Sequence, residues 1–348
     1  MALLKECEKT CPCRCYKHGT PNGVHFKFRC SAFDPLKKLM TAEPIRLSCI
    51  AIVLSLACAA SLCAQTSRPA PDLLKVRNAG GFQLLVVAEN NQPTLRIVLP
   101  GRVTSDRSIE VLFPEHVTVV EHGNTAARQL YLFRPGQVGE RPDWRRIGHS
   151  LEYQRDLQDG VHLLARATLE RDGVLFHYEF SNSGKTAYDM ILAVTDPRLT
   201  SIFRDLRLER TYVHHADGFE LLASETPERL TLPLDRWFPV RYLASFTWPV
   251  PAQLMDRRND GIAYYNKSRA VDQPFLATLS EDRKWVIASV ARMTGNVWSN
   301  PKLTCQHVDP QASLAPGQRS VLEVKIFVLR GSLNEALQRA IRQRKSLK

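Results

Sequence analysis

Between residues 299 and 311 the chain reads SNPKLTCQHVDPQ, with Cys305, His307 and Asp309 at every second position. In extended backbone that spacing projects all three side chains to one face. A histidine beside a carboxylate has its ring oriented and its basicity raised, as general acid–base chemistry requires. Just upstream, Trp298 offers a flat apolar platform and Asn300 a hydrogen-bonding amide, while Pro301 and Pro310 stiffen the stretch as a loop. Three readings are open. In the first, this is a sugar-binding loop with Trp298 as stacking platform and His307 as acid or base. The second is a metal site through His307 and Asp309. The third is a structural turn in which Cys305 is a small core residue and His307 bonds to backbone.

Two further segments carry candidate chemistry. In RTYVHHADGFELL, His215 and Asp217 share a face if the strand continues, a second possible base with its carboxylate; equally, Asp217-Gly218 marks a hairpin turn. The stretch from Asp235 to Arg269 holds several aromatic and several basic residues, and Arg241, Tyr264 and Lys267 are taken from it as substrate-binding candidates. Core packing explains its aromatics as well. His116 and His122 in EHVTVVEH lie six residues apart, about 20 Å in a strand, too far to share one ion. No metal and no cofactor is assigned. Walker, dinucleotide-glycine, G-x-S-x-G and H-E-x-x-H patterns are missing from the sequence.

Eight of the nine cysteines lie in the first 63 residues, which differ in character from the rest. Arg46 precedes an apolar run from Leu47 to Ala64 that ends in small residues and a Pro-rich exit, the layout of a secretory signal peptide. A membrane anchor is the alternative, since about 18 apolar residues can just span a bilayer. Translation from Met40 would put residues 40–64 at the N-terminus as the signal, leaving 1–39 as a non-native upstream extension or a disordered segment. Cys7, Cys11, Cys13 and Cys15 do not form the paired clusters of a structural zinc site. On this reading residues 65–72 are a short linker and 73–348 the folded domain, exported to the periplasm or medium of a bacterium, with no stable membrane insertion after cleavage. Without residues 1–64, which hold nine of the 47 basic and four of the 35 acidic residues, the net charge is +7. Apart from the basic tail the charges are scattered, which gives a nucleic-acid partner little support; such a surface could meet acidic glycans or anionic envelope polymers, or it is ordinary solubilising charge.

What must position these groups is mostly β. Short runs such as VHLLARATLE, VLFHYEFSN, KWVIASVA and VLEVKIFVL alternate apolar with polar residues and are separated by turn signals, including EHGN, RDG, RNDG and APGQ. The predicted fold class is all-β, a large antiparallel sandwich in one domain with a C-terminal helix over 332–346. That helix opens with a capping box, Ser332 and Glu335, and carries Leu333, Ala336, Leu337 and Ile341 as an apolar stripe.

The closing course GNVWSNPKLTCQHVDPQASLAPGQRSVLEVKIFVLRGSLNEAL resembles the end of galactose-mutarotase-like supersandwich domains of exported bacterial proteins. The resemblance implies the supersandwich fold over roughly 73–347 and a carbohydrate partner. The family's general-acid histidine and late general-base glutamate have no matching context here, so the implied enzymology is less specific than the implied fold. The resulting expectation is a carbohydrate-recognising protein with a cleft built from the HHAD, YYNKS and NPKLTCQHVDP segments. If it is an enzyme, His307 or His215 moves the proton, oriented by Asp309 or Asp217, in epimerisation or polysaccharide cleavage. The rival is a non-catalytic envelope binding or assembly module.

Overall fold

The computed structural model describes residues 74–87, 92–101, 108–132, 142–223, 270–300 and 302–348, and the backbone of three strands within 242–267. The expected upstream extension, signal peptide and linker lie outside the described residues, as does Arg241. The described residues all belong to one compact unit, Ser67–Lys348.

The largest sheet has nine strands in the order β14-β13-β18-β19-β22-β10-β9-β8-β7. These are β7 (Arg145–Ile147), β8 (Ser150–Asp156), β9 (Val161–Glu170), β10 (Gly173–Asn182), β13 (Thr211–His215), β14 (Gly218–Leu221), β18 (Phe275–Leu279), β19 (Trp285–Ala291) and β22 (Arg319–Arg330). A five-stranded sheet joins β1 (Lys75–Arg77), β2 (Gln83–Val86), β3 (Thr94–Val98), β4 (Ser108–Leu112) and β12 (Asp196–Arg198). A four-stranded sheet joins β5 (Val117–Glu121), β6 (Ala127–Leu130), β11 (Tyr188–Ala193) and β21 (Gln311–Leu314). The last sheet holds β15 (Tyr242–Thr247), β16 (Asp256–Arg257), β17 (Ala263–Lys267) and β20 (Asn296–Ser299).

Period-two patterning explains the layers. In β9, Leu163, Ala165, Ala167 and Leu169 are buried, and in β10 Val174, Phe176, Tyr178 and Phe180. With Leu322, Val324, Ile326 and Val328 of β22 they form one core that also holds Leu84, Ile97 and Val111 of the five-stranded sheet and Val119 and Ile191 of the four-stranded one. The fold is therefore an all-β sandwich, as the alternation predicts. Each such Leu, Ile or Phe contributes about 1.5–3 kcal/mol on burial. Cys305 is the free, buried cysteine among the described residues, so this apolar core does the work that crosslinks do in small exported domains.

Strand β22 follows its residue pattern. Residues 319–323 pair with β10 alone, and from Val324 onward β19 joins on the other side. The polar half is thus the half with one neighbouring strand, and the apolar half lies inside the sheet. Gly173, which opens β10, sits where a Cβ would strike the backbone of Ile326 and Phe327, so close sheet pairing there requires glycine. One pairing departs from the antiparallel expectation: β15 and β17 run parallel. The connection between them, residues 248–262, is long enough for the crossover that parallel pairing needs.

The closing helix, α1 (Leu333–Arg344), has its capping box as expected: Ser332 Oγ accepts from the Glu335 amide, and Glu335 accepts from the Ser332 amide. Ala336, Leu337 and Ala340 pack on the outer face of the nine-stranded sheet against Phe275, Ala277 and Val290. The helix ends at Arg344, two residues before the expected 346. The chain then turns back, with the Ser346 and Leu347 amides donating to Gln343 and Arg344, to bury Leu347 in the same cluster. Among the described residues no helix is long and apolar enough to cross a membrane.

Candidate functional site

Trp298 of β20 and His307 form an isolated antiparallel bridge, exchanging two backbone hydrogen bonds of 3.0 and 2.9 Å. Directly opposed residues in such a pair project to the same face. That is why the indole and the imidazole stack, with centroids 3.8 Å apart and planes 11° from parallel. Between them the chain loops through Asn300–Thr304, held by Asn300: its Oδ1 accepts from the amides of Lys302 and Thr304, and its Nδ2 donates to Thr304 Oγ1. Leu303 takes a left-handed conformation, φ 47°, to close the loop. The Asn300 side chain, expected to bind substrate, is thus occupied in shaping the loop.

The alternation from Cys305 to Asp309 persists in space. Gln306 points away, donating to Thr278 Oγ1 and accepting from Ser289 Oγ, whereas His307 Nδ1 faces Asp309 Oδ2 at 3.3 Å. Asp309 is in turn fixed by the Thr195 amide on Oδ1 at 3.0 Å, and Thr195 Oγ1 shares a 2.6 Å hydrogen bond with the buried Tyr178 hydroxyl. On the other side of the ring, His307 Nε2 faces Asp196 Oδ1 at 4.0 Å. Cys305 Sγ accepts from the Asn300 amide at 3.4 Å and contacts Ser299 Oγ at 3.6 Å.

Asp196 arrives from β12, which pairs with β4 at the edge of the five-stranded sheet. Nothing in TDPRLT marks it as a partner of residues more than a hundred positions later; only tertiary structure joins them. A pocket of about 540 Å³ opens here, lined by Glu115, Asp196, Arg198, Arg204, Trp298, Asn300, Thr304, Cys305 and His307 among others. Its volume is in the range of small-molecule sites. Asp196, Cys305 and His307 are buried, whereas Arg198 is half exposed and Arg204 exposed. Burial holds the Asp196 carboxyl above its ordinary range, only partly countered by His307. Burial alone would push the His307 imidazole down, but its electrostatic and hydrogen-bonding interactions with Cys305 and Asp309 outweigh it and place the ring well above the usual histidine value.

The second histidine segment is a hairpin. Strands β13 and β14 pair His215 with Gly218 across a two-residue turn, with Gly218 at φ 132°. Asp217 is exposed in that turn, so the expected continuation of the strand to Asp217 gives way to the turn reading. The carboxylate at His215 is Glu220, 2.9 Å from Nε2, while Nδ1 lies 2.9 Å from the Ala270 carbonyl oxygen. His214 contacts Asp272 at 2.8 Å and meets the Phe219 ring edge-on. No residue of this hairpin is among the described residues lining the pocket. Tyr264 and Lys267 lie on β17, described in backbone only, with Tyr264 paired to Leu243 and Asp256. Among the described residues, the part of the expected three-segment cleft that forms is the one built on residues 298–307.

No protein-family profile and no curated protein matches the chain. Among solved structures it is similar to a galactose mutarotase-like protein from Lactobacillus casei ATCC 334, with 10% identity, a TM-score of 0.40, and coverage of 74% of this chain and 100% of that one. It is also similar to galactose 1-epimerase from Lactobacillus acidophilus NCFM, with 12% identity, a TM-score of 0.41, and coverage of 74% and 94%. A third likeness is to the α-N-acetylgalactosaminidase NagBb from Bifidobacterium bifidum, with 11% identity, a TM-score of 0.44, and coverage of 78% of this chain and 38% of that one. The first two are of the kind that the C-terminal course resembles. Identities this low carry no residue of those proteins' sites onto this chain.

Proposed function

We propose that the protein binds a carbohydrate bearing a carboxylate, a uronate-type sugar, in the pocket floored by Asp196, Cys305 and His307. The observation that carries this reading is the convergence on one cavity of a half-buried indole, Trp298, and two guanidinium groups, Arg198 and Arg204, around a buried polar floor. An indole suits the C–H face of a sugar ring, and arginine forks suit a carboxylate. His307 belongs to the pocket, with Asp309 as its orienting carboxylate. His215, engaged at both ring nitrogens by Ala270 and Glu220, belongs to the fold. The signal-like run of residues 47–64 supports export, and so a glycan outside the cytoplasm.

The test is a binding screen of the full chain against uronate-containing and neutral oligosaccharides, beside Arg204→Ala. Because Arg204 is exposed, the variant keeps the parent's melting temperature. A charge-assisted hydrogen bond contributes about 1.5–3 kcal/mol, so uronate affinity falls at least about tenfold. Failure of the parent to bind any glycan, or equal affinity in parent and variant, would overturn the reading.

A further inference from the structure

We infer that Asp196, Cys305 and His307 form a binding site for one divalent transition-metal ion of the zinc class, with an open coordination position facing the pocket. One atom from each residue, the carboxylate oxygen, Sγ and a ring nitrogen, lies within 4.8 Å of the others, and all three residues are buried. The donor set of thiolate, imidazole and carboxylate is that of zinc and its borderline neighbours, not of magnesium or calcium. Ligands 2.0–2.1 Å from a tetrahedral ion stand about 3.3 Å apart. The 4.0 Å between His307 Nε2 and Asp196 Oδ1 must therefore shrink by less than an ångström.

Two independent observations point to an ion. Asp196 Oδ1 is buried and has no hydrogen-bond partner among the described residues, although it is aimed into the cluster; Arg198 reaches only the other oxygen, at 3.4 Å. A buried carboxylate oxygen left so is costly, and a cation beside it removes the cost. In addition, the outer shell is already built. Asp309 Oδ2 lies 3.3 Å from His307 Nδ1, an ion-pair distance at which neither atom completes a well-aligned hydrogen bond, and the amide of Thr195, whose hydroxyl bonds Tyr178, fixes Asp309 Oδ1. The Asn300 backbone amide donates to Cys305 Sγ at 3.4 Å and so fixes the sulfur's position. On binding, the Cys305 thiol and the protonated His307 ring each give a proton to solvent, and one thiolate and one carboxylate balance the dication.

Metal binding stands on this geometry alone. Only the use of the ion, to hold a hydroxyl or carboxylate oxygen of the ligand at its open position, rests on the carbohydrate reading.

The test strips the full chain with chelator and titrates it with Co²⁺, following the thiolate charge-transfer and tetrahedral d–d absorption, then displaces Co²⁺ with Zn²⁺. Since eight other cysteines lie in residues 1–63, the signal is read as the difference between the parent and Cys305→Ser or Asp196→Asn. One equivalent of tight binding disappears in both variants, and Asp309→Asn keeps the spectrum with affinity lowered about 10–100-fold. The metal raises the melting temperature of the parent, while Cys305→Ser melts like the stripped parent whether or not metal is added. Identical stoichiometry, spectrum and melting in parent and variants would overturn the site. Metal binding without glycan binding would sink only the carbohydrate reading; glycan binding untouched by chelator, with no Co²⁺ signal, would sink only the metal.

Discussion

Replacing Lys325 separates two contributions that usually arrive together, charge and packing. Lys325 is 0% exposed, in mid-sheet on β22, with Nζ 2.6 Å from Glu170 and 3.2 Å from Asp172. Asp172 also receives Arg339 of α1 at 2.6 Å, so the network ties the helix to the β9–β10 turn. Breaking a buried ion pair costs about 3–5 kcal/mol when it strands the partner charge. Here neither carboxylate is stranded: the Glu170 side chain is 35% exposed and can turn to water, and Asp172 keeps Arg339. Lys325→Met, which keeps the apolar stem, should therefore cost only about 1–2 kcal/mol. Lys325→Ala also loses three buried methylenes at about 0.8 kcal/mol each, and should cost about 3–4 kcal/mol. Urea unfolding with a common m-value reads both numbers. Equal losses in the two variants would refute the packing argument. A loss above about 4 kcal/mol in the methionine variant would show that Glu170 or Asp172 is stranded after all.

Gly173→Ala should cost about 3 kcal/mol, at the upper end of overpacking, because the new methyl meets backbone of β22 rather than a yielding side chain; a melting curve within 2 °C of the parent would contradict this. Glu323 makes a pH prediction. Burial raises its carboxyl pKa, but His177 at 2.8 Å and the Lys348 amide at 2.9 Å more than offset this, and the net shift is downward. A depressed carboxylate contributes stability above its unfolded pKa and loses it as pH falls through the folded one. Glu323→Gln should accordingly be less stable than the parent at neutral pH, with the gap closing in acid. A pH-independent gap in denaturation midpoints would mean that shape, not charge, sets the difference.

Local patterning determined a large part of this protein. The alternation in β9 and β10, the passage of β22 from a single-partner to a fully paired position and the capping box of α1 follow from side-chain period and amide satisfaction, which are properties of neighbouring residues. The same rule put Cys305, His307 and Asp309 on one face, and their side chains do converge. What the sequence could not hold is anything that depends on which strands become neighbours. Asp196, more than a hundred residues before His307, reaches it only because β12 pairs with β4 beside the loop after β20. His215 meets Glu220 rather than Asp217 because the chain reverses at Ala216–Asp217 and brings β14 back alongside β13. Asn300 looks available as a bare amide, but a loop of that length needs its backbone donors satisfied, and its own side chain is the nearest acceptor. Long-range pairing selects one arrangement from many that local patterning allows, so the elements and the Cys305–His307 part of the pocket floor were legible in the sequence and Asp196 was not.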